Sequence, residues 1–407
     1  MKVLLVADAY PPEVSSAATL IQELSSELKK HGDEVFVLTT YPGHYLAESA
    51  KADNFGEFSD ENGIKVIRVK TLPLKGINFI LRGISQLLLP YILFFRAKKY
   101  LGNKLDAVIV YSPPVTLSIV GSIVKRKYGA KFLLNLQDIF PQNAIDLGVL
   151  KKKHAPAIWL FEAIEKFAYA RADIITFHSP GGRRFLVEKK NVPENKIVTL
   201  ANWVDIKEYE GPTRKDFRKE YGLEKKFVFL FAGIMGPAQG MEFLVEVANK
   251  VKDLKDAVFL LVGGGMEKEK VLEAIKKYGL QNVIIKKFVS KEEYPDLAKS
   301  ADVGLVCLSP KNKTPFVPGK FLGYMAAGKP VLAFLNKESD GFELVRESSC
   351  GFTAVAGDLD SAEKAVRTIY GLGKAGMKDV GQNGLRYARA HFSLASAADK
   401  IRQLLGS

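Results

Sequence analysis

Short, continuously apolar runs alternate with helix-length amphipathic ones along most of the 407 residues. A first set comprises KVLLV (2–6), EVFVLT (34–39), IKVIRV (64–69), DAVIVY (106–111), KFLLNL (131–136), DIITF (173–177) and KIVTL (196–200). A second comprises FVFLFAG (227–233), AVFLLVGGG (257–265), NVIIKKF (282–288), DVGLVCL (302–308), PVLAFL (330–335) and GFTAV (351–355). Runs without in/out alternation predict strands buried on both faces, hence parallel sheets covered by helices on each side. The helices are legible too: Leu20, Ile21, Leu24 and Leu28 form a stripe opposite Glu23, Glu27 and Lys30, and Gly32 stops it. The polar stretch 202–226 separates the two sets. The pattern therefore predicts an α/β protein of two Rossmann-like domains, 1–201 and 202–385, facing each other across a cleft. Ligands of such sheets sit beyond the strand carboxyl ends.

Composition narrows the choice of ligand. Lys plus Arg number 59 against 45 Asp plus Glu, a formal charge of +14 that favours anionic partners. No RNP motif, zinc finger or arginine stripe accompanies the charge, so nucleic acid is not expected as a partner. Cys307 and Cys350 lack CxxC spacing, which argues against a disulfide framework and fits a reducing, cytoplasmic setting. The chain opens directly on a strand pattern, so a secretory leader is not expected. The apolar run 77–95 is interrupted by Arg82, Gln86 and Pro90 and does not read as membrane-spanning. Arg96, Lys98 and Lys99 follow it, and Lys151, Lys152 and Lys153 lie further on. These features fit either a peripheral contact with the anionic inner face of the cell membrane or a buried helix with solvated lysines.

Candidate chemistry gathers at strand ends. Gly233, Gly236 and Gly240 precede a helix, and Gly263 and Gly264 close the next strand. Glycines there admit backbone N–H groups to an anion, although simple turn chemistry explains either set alone. In TPFVPGKFLGYMAAGKPV (314–331) Lys320 falls in the first turn of a short helix, the unfavourable end for a cation unless an anion shares the position. Asp138 follows a strand as a cleft-facing carboxylate or a loop-ordering one. Ser15 and Ser16 either cap the first helix or donate to a ligand. His44, His154 and His178 have no metal-ligand spacing, and the DxD pair Asp358 and Asp360 reads as a helix cap, with Asp360 and Glu363 as its capping box; no metal is assigned.

Taken in order, YPPE (10–13), LQDIFPQNAIDLGVL (136–150), ANWVD (201–205), FAGIMGPAQGMEFL (231–244), SADVGLV (300–306) and VPGKFLGYMAAGKPV (317–331) resemble the retaining glycosyltransferases of family 4, with the GT-B fold. The closest resemblance is to the N-acetylfucosaminyl-type enzymes of surface polysaccharide assembly. That resemblance implies transfer from a nucleotide diphosphate sugar, the only co-substrate, to a glycan or polyprenyl-linked acceptor, with no cofactor. It implies Asp138 and Lys320 as catalytic residues. Donor contacts would come from Ser15, Ser16, Gly233, Gly236, Gln239, Gly240, Gly263, Gly264, Phe288, Val289, Phe316, Val317, Pro318 and Gly323, with Phe288 and Val289 near the base. A final helix within 386–407, carried by FSLASAADKIRQLLG (392–406), would return to the first domain. The chain departs from the family at three places: Ile234 and Gln239 stand where Arg and Lys are common, Ser15 and Ser16 replace Gly-Gly, and Pro315 and Gly323 replace two glutamates. The second glutamate accepts from ribose hydroxyls in the family, so Gly323→Glu is predicted to tighten nucleotide binding. A non-catalytic nucleotide-sugar or glycan-binding protein of the same fold is the alternative reading.

Overall fold

The structure, a computed structural model, describes residues 1–43, 46, 55–73 and 79–406, with Phe79, Ile80 and Lys374 by backbone only. His44 lies outside the described residues. The chain forms two units, Met1–Ala201 with Leu394–Ser407, and Asn202–Ser393.

The first unit holds β1 (Lys2–Val6), β2 (Glu34–Thr40), β3 (Phe58–Glu61), β4 (Ile64–Val69), β5 (Ala107–Ser112), β6 (Lys131–Leu136), β7 (Ile174–Phe177) and β8 (Ile197–Thr199). Their order is β3-β4-β2-β1-β5-β6-β7-β8, parallel except for β3. Seven of these are the apolar runs read from sequence. The eighth, β3, is the polar tetrapeptide FSDE and carries no such signal; it is held by Arg68 of β4, whose buried guanidinium bonds Ser59 Oγ at 3.1 Å and pairs with Glu61. On one face Leu4, Phe36, Leu38, Val108 and Val110 pack with Leu89, Leu93 and Phe94 of the helix Phe79–Leu101. No helix among the described residues is long and apolar enough to cross a membrane.

Two expectations need correction here. Glu23, read as lying opposite the apolar stripe, is only 5% exposed, and the helix Leu394–Leu405 packs onto the same helix Ser16–Lys30. The returning helix is present within 392–406, but the wider span 386–407 is not one helix. The helix Gly373–His391 belongs to the second unit, and only the separate helix Leu394–Leu405 joins the first.

The second unit has a wholly parallel sheet of β9 (Phe227–Ile234), β10 (Ala257–Gly264), β11 (Val283–Lys286), β12 (Val303–Cys307), β13 (Val331–Leu335) and β14 (Gly351–Val355). The order β11-β10-β9-β12-β13-β14 reverses direction between β9 and β12. Such a switch point opens a crevice at the strand carboxyl ends, since successive crossovers leave on opposite faces. In the first unit the equivalent point lies between β1 and β5.

Candidate functional site

At the second unit's switch point the two glycine turns lock onto each other through their backbones. Met235 N donates to Gly264 O at 2.8 Å and Glu267 N to Met235 O at 3.0 Å. A Cβ on Gly263 would lie 2.0 Å from Gly233 O, and one on Gly240, at φ +56°, would lie 2.6 Å from Leu308 O. These glycines are therefore required by close backbone approach. Gly263 and Gly264 are buried as the last residues of β10, whereas Gly233, Gly236 and Gln239 remain half-buried.

Lys320 begins the helix Lys320–Ala326 and reaches across to the first glycine turn. Its ammonium donates to Gln239 Oε1 at 2.9 Å and lies 4.7 Å from the centre of the Phe231 ring. A Cβ on Gly233 would come within 3.4 Å of Nζ, so the glycine gives the lysine its room. Among the described residues no carboxylate pairs with it. Burial pushes its pKa down to about 8. The neighbouring Cys307 thiol is pushed up to about 12 by burial, with Lys320 pulling the other way, so it stays protonated and provides no counter-charge. A desolvated cation left without an anion is costly unless a ligand completes it.

The other sequence-predicted donor residues surround this pair. Phe288 and Val289 lie in the half-buried segment after β11, where the Phe288 ring would be 3.4 Å from a Cβ on Gly264. Phe316 and Val317 are half-buried and Pro318 buried, just ahead of Lys320; Phe316 O accepts from Ser339 Oγ at 2.8 Å. Gly323 is buried, and the space beside it is taken: a Cβ there would lie 2.7 Å from both the hydroxyl and Cε1 of Tyr294. A side chain at 323, a glutamate included, would have to displace the Tyr294 phenol. Nothing in the sequence signals Tyr294, which meets Gly323 only through the packing of two helices.

In the first unit, Ser15 is the N-cap of the helix Ser16–Lys30, its Oγ accepting from Ala18 N at 3.2 Å, and Ser16 is exposed in the first turn. Asp138 lies two residues beyond β6, and burial pushes its carboxyl up to about 6. The Tyr111 phenol of β5 is raised chiefly by burial, then by the charges of Asp138 and Asp8. These three residues share the carboxyl ends of β1, β5 and β6 at the switch point. Asp8 went unnoticed in the sequence although, like Asp138, it is polar just after an apolar strand. His178, at the end of β7, is pushed down to about 4 by burial and is a neutral imidazole at pH 7. Asp358, not Asp360, is the N-cap of the helix Leu359–Tyr370, with Oδ1 accepting from Ser361 N at 3.0 Å. Glu363 pairs with Arg367 instead of completing a capping box.

Comparison with known proteins agrees with this architecture. The glycosyl transferase 4-like domain matches residues 16–203, and the glycosyl transferases group 1 domain matches 226–371. WbjE of Pseudomonas aeruginosa, named as a probable glycosyltransferase, is 26% identical over 80% of this chain and 81% of its own length. WcaI of Escherichia coli (strain K12), a glycosyl transferase named for colanic acid biosynthesis, is 24% identical over 81% and 82%. Among solved structures, sucrose-phosphate synthase from Thermosynechococcus elongatus superposes with a TM-score of 0.78 at 17% identity, covering 99% of this chain and 98% of that one. Anabaena HepE in complex with UDP gives 0.71 at 17% identity, covering 100% and 99%. With two parallel-sheet Rossmann-like units, matched in turn by these two domain families over most of its length, the chain is a glycosyltransferase of the GT-B fold.

Proposed function

We propose that the protein transfers a hexose or N-acetylaminosugar from a uridine diphosphate sugar to a glycan or polyprenyl-linked acceptor in surface polysaccharide assembly, with retention at the anomeric carbon. In this reading it belongs with the N-acetylfucosaminyl-type subgroup. The observation that carries the proposal is Lys320, a desolvated ammonium beside Gly233 and bonded to Gln239, with no carboxylate partner among the described residues. Rupture of the glycosidic bond develops negative charge on the departing diphosphate, and a fixed cation in a water-poor site stabilises that charge more than it stabilises the intact donor. In front-face transfer the leaving phosphate takes the acceptor proton, so no enzymic nucleophile is needed. Asp138, largely ionised at pH 7, accepts a hydrogen bond from a sugar hydroxyl and orients it. UDP as the nucleotide is supported by the ligand of HepE, and polysaccharide assembly by the name of WcaI.

The assay is a panel of UDP-, GDP-, ADP- and dTDP-sugars read by thermal shift, followed by transfer with NMR of the product. A ligand that binds only the folded state raises its melting point. Stabilisation by a UDP-sugar and an unchanged anomeric configuration are expected. An inverted product would remove retention, and no stabilisation by any donor would remove the transferase reading of Lys320. Transfer is metal-independent in this proposal, so EDTA leaves the rate unchanged.

Peripheral contact with an anionic membrane is part of the same proposal. On the helix Phe79–Leu101 the exposed residues Leu81, Ile84, Leu88, Tyr91 and Phe95 recur every three or four positions, and Phe95 is 60% exposed. Exposed Arg96, Lys98 and Lys99 follow, and Lys70 and Arg96 help line a hollow of about 540 Å³ beside Tyr91. Elsewhere in the unit Trp159, 70% exposed, accompanies the exposed Lys151, Lys152 and Lys153. An apolar helical stripe with adjoining basic residues has the chemistry of an interfacial lipid contact.

A further inference from the structure

We infer that the Tyr294 hydroxyl is the group that reads the ribose of the nucleotide, a specificity-determining contact that rests on the nucleotide-sugar reading of this site. Tyr294 starts the helix Tyr294–Ser300, but its phenol lies against the bare backbone of the helix Lys320–Ala326 at Gly323. Positions 320 and 323 are three apart and share one helical face, about 4.5 Å along the axis. The ribose of a nucleoside diphosphate is a single ester linkage from the phosphates. An anion held by Lys320 therefore brings the sugar hydroxyls to the level of the phenol.

The hydrogen-bond inventory points the same way. Tyr324, next to Gly323, is satisfied: its hydroxyl donates to Leu230 O at 2.8 Å and accepts from Ala232 N at 3.1 Å. The Tyr294 hydroxyl has no hydrogen-bond partner among the described residues, although burial holds its pKa well above the ordinary phenol value. A neutral phenol can donate one bond and accept another, which suits a vicinal diol. Tyr294 is only half-buried, so a hydroxyl without a protein partner is open to ligand or solvent. Glycine at 323 is what admits it, because any side chain there would displace the ring.

The test is titration calorimetry of UDP, 2′-deoxy-UDP and 3′-deoxy-UDP with the wild-type chain and Tyr294→Phe, with thermal melting as the check on folding. Tyr294→Phe weakens UDP about two- to tenfold, the range of one ordinary hydrogen bond, with an unchanged melting point. At least one deoxy nucleotide binds the wild type more weakly by a similar factor and loses nothing further in the variant. Gly323→Ala, which pushes the phenol aside, gives a comparable loss that is not additive with Tyr294→Phe. Unchanged UDP affinity in Tyr294→Phe, or equal losses for all three nucleotides, would overturn the assignment while leaving nucleotide binding intact. Absence of UDP binding by the wild-type chain would instead overturn the uridine reading of the whole site, and this inference with it.

Discussion

Replacing Lys320 by methionine keeps the length of the side chain and deletes its charge, and the geometry predicts opposite signs for stability and activity. Depression of the ammonium pKa from 10.5 to about 8 corresponds to about 3 kcal/mol of penalty for keeping it charged in the folded chain at pH 7. Against this stands the charge-assisted hydrogen bond to Gln239, worth about 1.5 kcal/mol or somewhat more. Lys320→Met should therefore raise the melting point of the unliganded protein by a few degrees, from a net gain of about 1 kcal/mol. Turnover should fall at least about tenfold, because in the proposed transfer the cation that would face the leaving diphosphate is gone. The pH dependence provides an internal check. The folded pKa lies below the unfolded one, so between about pH 8 and 10.5 the unfolded chain holds more protons and wild-type stability rises with pH. Because that rise, about 3 kcal/mol, exceeds the variant's advantage of about 1 kcal/mol, the stability gap closes and then reverses across that window. Paired melting curves and transfer assays over pH 7 to 10.5 are the measurement. Turnover within about threefold of wild type would refute the reasoning; so would loss of activity accompanied by a lower melting point, since misfolding alone would then explain it.

Other perturbations test separate parts of the site. Asp138→Asn should lower turnover and raise stability at pH 7 by on the order of 2 kcal/mol, because the folded carboxyl near 6 is disfavoured as an anion relative to its unfolded value of 3.8. That carboxyl's contribution to wild-type stability is full below 3.8 and is lost as pH rises toward 6; denaturant titration at pH 4 and pH 7 compares the two proteins. Gly240→Ala should cost about 1–3 kcal/mol in denaturant unfolding, from the positive φ and the collision with Leu308 O. Phe95→Glu should abolish flotation with vesicles containing anionic lipid while leaving donor hydrolysis in solution unchanged; undiminished flotation would remove the helix Phe79–Leu101 from membrane contact.

Much of the scaffold was legible because a strand covered on both faces must be apolar at every position, as Val3 to Val6 and Val303 to Cys307 are. That rule cannot find β3, an edge strand with one neighbour and a charged tetrapeptide, held by its pairing with β4 and by Arg68 of that strand. Nor could amphipathicity find the burial of Glu23, which lies off the apolar stripe of its helix. Lys320 was visible as a cation at the wrong helix end, and its partner Gln239 as a departure within the glycine turn. Tyr294 was invisible for a different reason. Its meeting with Gly323 is made by two helices packing together, and no local pattern records which side chain fills the room that a glycine leaves.

The interruption of the first unit by the second has a bearing on how the chain is made. Asp33 pairs with the Met1 amino group at 2.7 Å and with Arg402 at 3.0 Å, so residues far apart in the sequence meet on one carboxylate. During vectorial synthesis the segment Asn202–Ser393 emerges whole, whereas the earlier sheet waits for Leu394–Leu405 before its helix Ser16–Lys30 is covered. The half translated first is thus completed later than the second, and until Leu394–Leu405 has emerged it has an unshielded flank.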